Sequence, residues 1–288
     1  MTNPPLPALP RLSQARAPLT HQIEVLDETG ARRQQAIPAE RALTLFVDRR
    51  ELVTLMTLGQ HPELLALGYL RNQRLVERAE QIESITVDWE VGAAALRSRA
   101  GLPGLAERTA RRTVTTGCGQ GTVFGALLQE DIDVLRLPAP AQPTLSQGGL
   151  YAMLEQVRAL DSVYKQSGSV HGCALFVDGR LHCHVEDVGR HNAIDTIAGW
   201  LWMQGIEEGP GEGSAVFYTT GRLTSEMVMK AAAMRVPVVV SRNGVTQMGQ
   251  ELAQRLGLCL IARAKGRHFL VCSGFAHFAS EPLALLPG

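Results

Sequence analysis

The 288-residue chain lacks any window approaching the ~18 to 20 uninterrupted apolar residues of a membrane span. Its start carries no basic-then-apolar secretion signal. A cytoplasmic protein without a membrane partner is expected. Net charge is also missing: 28 Lys and Arg stand against 28 Asp and Glu, with 16 of each before Leu137 and 12 of each after it. A balance kept in both halves excludes a broad polycationic footprint, so no nucleic-acid partner is expected. Nor is there an even set of cysteines. Cys118, Cys173, Cys183, Cys259 and Cys272 are a scattered five in a chain large enough to need no staples, which predicts free thiols. An apolar content of 45% suits a folded core, and the length suits one large or two modest domains.

The prolines concentrate in residues 1–19, read as a disordered leader. Residues 20–137 then read as a small α+β domain, with β-rich runs at 43–47, 52–58 and 82–91 around a helix after Pro62. Leu64, Leu65, Leu67, Leu70 and Leu75 fit one face of that helix. Pro138, Pro140, Pro143, Gly148 and Gly149 mark a linker over 138–149. From 150 to 288 strands alternate with helices. Helices are predicted over 150–165, 191–203, 223–234 and 246–256, and strands over 173–177, 181–185, 215–219, 236–240 and 258–261. That rhythm predicts an α/β layered domain with a largely parallel sheet, whose ligands bind beyond the carboxyl ends of the strands.

Four segments carry chemistry. His171, Cys173, His182, Cys183, His184 and His191 invite a zinc reading. However, 182–184 are consecutive on a predicted strand and point to alternate faces. His184-Val185-Glu186 matches half of the zinc-deaminase signature, but no Pro-Cys-x-x-Cys follows, so neither zinc nor another metal is expected. The second segment runs through Glu186, Asp187, Gly189, Arg190, His191 and Asn192 at a strand-to-helix turn. The acids could accept from base or ribose donors and Arg190 could grip a phosphate. A helix cap with a surface ion pair is an equally consistent reading of the same residues. The third is the turn holding Gly221 and Arg222, followed by Glu226 and Lys230 at i,i+4. The fourth is the basic cluster Arg263, Ala264, Lys265, Gly266, Arg267 and His268. Together the turns suggest an anionic, nucleotide-like ligand.

One cysteine stands apart. Cys118 lies in Thr115-Thr116-Gly117-Cys118-Gly119-Gln120-Gly121-Thr122, behind Arg108, Arg111 and Arg112. Flanking glycines let a partner approach, and nearby cations favour the thiolate. An inert thiol remains the alternative, whereas the other four cysteines sit in apolar strands as packing residues.

Glu-Asp-Val-Gly-Arg-His-Asn-Ala at 186–193 and Ser-Glu-Met-Val-Met-Lys at 225–230 closely resemble motifs of the formate dehydrogenase accessory sulfurtransferase (FdhD) family. Ala264-Lys265-Gly266-Arg267 resembles its late basic motif. The resemblance runs from about Thr20 to Ser273. It implies a cytidine-deaminase-like α/β domain with a smaller appended α+β domain, acting as a homodimer. It also implies a sulfur carrier whose Cys118 takes persulfide sulfur from a cysteine desulfurase. The sulfur passes to the molybdenum of bis-molybdopterin guanine dinucleotide, before that cofactor enters formate dehydrogenase. The basic and acidic turns would then bind the cofactor's diphosphates and guanines.

The chain also departs from the family pattern, which commonly has Cys-Gly-x-Cys-Gly where Gly121 here replaces the second cysteine. Thr196 replaces a lysine, and Ser241-Arg242-Asn243-Gly244 lacks the usual Ser-Ala-Pro. Ser169-Val170-His171-Gly172 follows its Gly-Gly-x-His-Ala only loosely, and Arg263 and His268 replace an aromatic and an arginine. A cofactor-binding chaperone without sulfur transfer is therefore the alternative function.

Overall fold

The structure, a computed structural model, describes residues 8–105, 113–114, 121–122, 132–206 and 214–281. Strands β1 (Arg11–Leu12), β2 (Thr20–Leu26), β3 (Arg32–Pro38), β4 (Arg41–Val47) and β5 (Arg50–Thr57) lead to helix α1 (Pro62–Asn72). Strands β6 (Ile82–Asp88), β7 (Ala93–Ser98), β8 (Thr113–Val114) and β9 (Gly121–Thr122) follow. Next come α2 (Ile132–Leu135), β10 (Leu145–Ser146), α3 (Gln147–Ala159) and α4 (Val163–Ser167). The chain continues through β11 (His171–Val177), β12 (Arg180–Asp187), α5 (Arg190–Met203), β13 (Val216–Thr219) and α6 (Ser225–Ala233). It ends with β14 (Val238–Ser241), α7 (Gln247–Leu256), β15 (Cys259–Lys265), β16 (His268–Ser273) and β17 (Phe278–Ala279).

These elements form two compact units that interleave in sequence. The first takes Met1–Gln129, Asp161–Gly172 and Val185–Glu207, and the second Glu130–Leu160, Cys173–His184 and Glu208–Gly288. The stretch 150–288, expected to be one domain, therefore contributes to both. The reason is α5: it is buried almost all round and packs against α1, a helix of the N-terminal half.

In the first unit a mixed sheet runs β1-β6-β7-β4-β5, beside a separate β2–β3 hairpin. Leu43, Leu45 and Leu55 of the sheet, Leu65 and Leu70 of α1, and Trp202 of α5 share one core. The expected disordered leader is corrected from residue 8 onward, while residues 1–7 lie outside the described residues. Arg11 and Leu12 pair in parallel with Ser84 and Ile85, and the buried Glu63 accepts from Ser13 Oγ at 2.6 Å and the Ala15 N–H at 2.8 Å. An open sheet edge and a buried carboxylate thus give this proline-rich stretch the partners its composition did not promise. Helices α1 and α5 meet backbone to backbone at Gly68 and Gly199. A Cβ on Gly68 would overlap the Asp195 carbonyl, and one on Gly199 the Leu64 carbonyl. Asn72 Nδ2 donates to Asp195 Oδ1 at 2.7 Å beside this crossing.

The predicted helix over 150–165 is two helices. Leu160 leaves the helical region at ψ 137°, and Ser162 starts α4 by accepting the Lys165 N–H. Strand β7 was missed because Ala93, Ala94 and Ala95 carry little strand propensity.

In the second unit a six-stranded sheet runs β12-β11-β13-β14-β15-β16. The expected parallel pairing holds only for β13, β14 and β15, because β11 and β16 pair antiparallel with their neighbours. Tight turns explain the two flanks: Asp178 (φ 49°) and Gly179 (φ 72°) turn β11 into β12, and Gly266 (φ 59°) turns β15 into β16. Leu150 and Met153 of α3 cover one face over Phe176, Tyr218, Val240 and Ile261. The alternate residues Phe217, Val239 and Leu260 are equally buried, so the opposite face is covered too. Among the described residues no helix is long and apolar enough to cross a membrane.

Candidate functional site

Of the sequence-derived site residues, one group lies at the β12–α5 turn in the first unit. Asp187 is 3% exposed and accepts from Thr57 Oγ1, the Leu58 N–H at 3.1 Å, the Gly189 N–H at 2.9 Å and Asn192 Nδ2 at 2.9 Å. Burial pushes its carboxyl above the usual carboxylate range, and the four donors pull it back. Glu186 is equally enclosed. Its Oε2 and Oε1 accept the Val163 and Tyr164 N–H groups at 2.6 and 3.1 Å, capping α4, while its own N–H donates to Gln60 Oε1 at 2.8 Å.

Where the sequence suggested acceptors for a ligand's base or ribose, the structure has both acids accepting from the protein's own donors: Glu186 from main-chain N–H groups, and Asp187 from two main-chain N–H groups and the Thr57 and Asn192 side chains. Asn192 donates also to the Met56 carbonyl at 2.7 Å, and Arg190 is only 5% exposed. His191 is half-buried beside them. The turn is a rigid knot whose partners Thr57, Leu58 and Gln60 come from about 130 residues away. No local sequence signal could have named those partners.

The second group lies in the second unit, at the carboxyl edge of its parallel strands. Thr219 and Ser241 are the paired last residues of β13 and β14, both fully buried. Thr219 Oγ1 accepts the Gly221 N–H at 3.0 Å and the Cys173 thiol at 3.3 Å. Ser241 Oγ donates to the Gly221 carbonyl at 2.5 Å and accepts the Asn243 N–H at 2.9 Å. The Arg242 N–H reaches the Thr219 carbonyl at 3.2 Å, and the Arg263 N–H the Asn243 carbonyl at 2.9 Å. Gly221 and Arg222 are thereby brought beside Arg263. Arg222, Arg263, Lys265, Gly266, Arg267 and His268 are exposed, and Ala264 is buried in the core beneath them. Arg267 lies 6.0 Å from the Tyr151 ring centroid, with the Tyr151 hydroxyl on its carbonyl at 3.2 Å. This edge can hold an anion; sequence reasoning found its flanks and missed Arg242 between them.

Cys118 lies outside the described residues, as do Arg108, Arg111 and Arg112. Strands β8 and β9 bracket Cys118 in sequence and pair antiparallel, Thr113 with Thr122 and Val114 with Gly121. The other thiols are described. Burial pushes Cys183 and Cys259 up to about 12 and raises Cys272, while Cys173 is buried in the sheet. Such thiols are weak nucleophiles near neutral pH. Among the described residues, no three His, Cys, Asp or Glu side chains are grouped to hold a metal ion.

Known proteins place this geometry. Two curated relatives, from Wolinella succinogenes and Listeria innocua, are each named "Sulfur carrier protein FdhD". The first is 27% identical over 82% of this chain and 80% of its own length, the second 24% identical over 84% and 91%. A crystal structure from Desulfotalea psychrophila, described as a formate dehydrogenase accessory protein, matches with a TM-score of 0.68 at 25% identity. It covers 89% of this chain and 97% of its own. The fold is accordingly the mixed α/β fold of that accessory protein. The model of the FdhD/NarQ family matches residues 38–278, so the chain belongs to the FdhD/NarQ family.

Proposed function

We propose that the protein is a cytoplasmic sulfur carrier that loads Cys118 with persulfide sulfur from a cysteine desulfurase. It hands this sulfur to the molybdenum of bis-molybdopterin guanine dinucleotide, its substrate, before that cofactor enters formate dehydrogenase. The carrying observation is family membership together with the names of the curated relatives, read beside the Cys183 and Cys259 thiols, which burial pushes up to about 12. The family resemblance makes Cys118 the thiol for chemistry.

The loading step balances without an oxidant. The Cys118 thiolate attacks the terminal sulfur of the desulfurase persulfide, the desulfurase thiolate leaves, and Cys118 carries the new S–S bond. Delivering the terminal sulfur as sulfide then requires a thiol to attack the Cys118 sulfur and form a disulfide. Gly121 stands where the family pattern has a second cysteine, so that thiol comes from another molecule.

The cofactor's chemistry fits the second unit: Arg222, on the turn shaped by Gly221, and the cations of the 263–268 turn are exposed to meet its diphosphates. Glu186, Asp187, Gly189, Arg190, His191 and Asn192 act as positioning residues that hold the β12–α5 turn. The layering of helices on both faces of the central strands supports a cytidine-deaminase-like architecture for the second unit, and the active species is assigned as a homodimer. The missing second cysteine favours one other reading, a chaperone that binds the cofactor without donating sulfur.

Incubation with a cysteine desulfurase and sulfur-labelled cysteine separates the two. Sulfur transfer predicts label on the wild-type protein and none on Cys118→Ala. Equal label on both, with Cys118→Ala still supporting formate dehydrogenase maturation, would establish the chaperone instead.

A further inference from the structure

We propose that Arg242 completes a three-arginine diphosphate-binding edge with Arg222 and Arg263. The inference rests on the second unit alone and deepens the reading of its cofactor chemistry.

Three observations carry it. The first is position: Arg222, Arg242 and Arg263 occupy the carboxyl edges of β13, β14 and β15, three adjacent parallel strands. In open α/β sheets this edge is where ligands bind. Their backbones are tied by the Arg242 N–H to the Thr219 carbonyl, the Ser241 hydroxyl to the Gly221 carbonyl and the Arg263 N–H to the Asn243 carbonyl. Arg242 is the middle one, directly after a fully buried serine that ties its own turn to the Gly221 turn.

The second is charge. Segments 219–225, 241–248 and 263–268 contain Arg222, Arg242, Arg263, Lys265 and Arg267 but no carboxylate, in a chain whose acids and bases are equal overall. All five cations are exposed, and among the described residues none is in an ion pair. The nearest carboxylate along these segments, Glu226, is buried with Lys230 at 3.7 Å.

The third is backbone geometry. Arg263 adopts φ 51°, a left-handed conformation unfavourable for a side chain of its size, at a ladder irregularity between Ala262 and Lys265. Strain of this kind concentrates at ligand sites, where it re-aims a side chain. The neighbouring α6 begins at Thr224 with no side-chain cap, and Thr224 Oγ1 is buried without a hydrogen-bond partner. Its first-turn N–H groups add partial positive charge at the same edge.

Arginine forks match phosphate oxygens bidentately, which specifies two linked phosphates better than one. The test is calorimetric titration of the full chain with inorganic pyrophosphate at low and at raised salt. Arg242→Ala should weaken binding about tenfold, the scale of one lost charge-assisted contact, and flatten the salt dependence. Arg242→Lys should recover part of the loss. Arg180→Ala, an exposed arginine on β12, should change nothing.

Wild-type affinity in a correctly folded Arg242→Ala protein would overturn the proposal, as would no pyrophosphate binding by the wild type. Sulfur loading on Cys118 is read separately by the labelling experiment. Arg242-dependent binding without label fails only the sulfur-carrier reading, and label without Arg242-dependent binding fails only this one.

Discussion

The Ser241 hydroxyl donates to the Gly221 carbonyl at 2.5 Å, joining two consecutive strand-to-helix turns through one side chain. The same oxygen accepts the Asn243 N–H, so Ser241 satisfies one group on each turn. Ser241→Ala leaves a buried carbonyl and an N–H without partners, at about 1–3 kcal/mol. Urea unfolding should show that loss, and the variant should also bind pyrophosphate more weakly than wild type because Arg222 and Arg242 are no longer held in register. Undiminished stability would mean that the turns are fixed by other contacts.

Asp187 organises the other turn. Asp187→Asn keeps one oxygen but places an amide opposite the Leu58 N–H, which then loses its acceptor. A destabilisation of about 1–3 kcal/mol is expected. Because the same change removes a carboxyl whose pKa is raised by burial, the pH dependence also shifts. A raised folded pKa gives stability that is fully present below the ordinary carboxylate range and is lost as pH rises through the folded value. Asp187→Asn should flatten that decline in a series of unfolding curves at rising pH.

The helix crossing gives a purely steric prediction. Gly199→Ala would drive a methyl into the Leu64 carbonyl, an atom that cannot swing aside as a side chain can. We expect a loss of more than about 2 kcal/mol and a lower thermal midpoint. Gly179→Ala, where a Cβ meets nothing, serves as the contrast: its cost arises from φ 72° alone and should be smaller.

His277 predicts an acid weakness. Its Nδ1 meets Thr144 Oγ1 at 2.8 Å and its Nε2 the Gly257 carbonyl at 3.1 Å, and burial holds its pKa below the usual imidazole range. Above that range the ring is neutral in both folded and unfolded chains. As pH falls the unfolded chain protonates first, so stability falls until the folded ring also titrates. Unfolding midpoints measured from roughly pH 7.5 to 5 should decline, and His277→Gln should lessen that decline.

Much of this was legible in the sequence, for local reasons. The run from β13 to α7 alternates apolar strands with helices, and its boundaries fall within a few residues of expectation because glycine and threonine mark its two strand-to-helix turns, at Gly221 and Thr224 and at Gly244 and Thr246, and Pro237 marks the helix-to-strand turn between them. The proposed anion edge was legible where arginine sits beside glycine, at Arg222 and in the 263–268 turn. Arg242 was not, because its role depends on strand order, which no local pattern encodes. The hydrogen bonds of Glu186 and Asp187 were not legible for the same reason: their donors, Val163 and Leu58, come from distant segments. A polar residue's type gives its chemistry, while burial decides whether a ligand or the main chain receives it.

The central claim is that Cys118 alone carries sulfur. Intact-mass analysis after incubation with a cysteine desulfurase and cysteine tests it most directly, on wild type and on Cys118→Ala, Cys173→Ala, Cys183→Ala, Cys259→Ala and Cys272→Ala. The account predicts a mass gain of one sulfur atom that a reductant reverses, present in wild type and in the four other variants and absent only from Cys118→Ala. The same gain on Cys118→Ala, or its loss from one of the other four variants that remains folded, would contradict it.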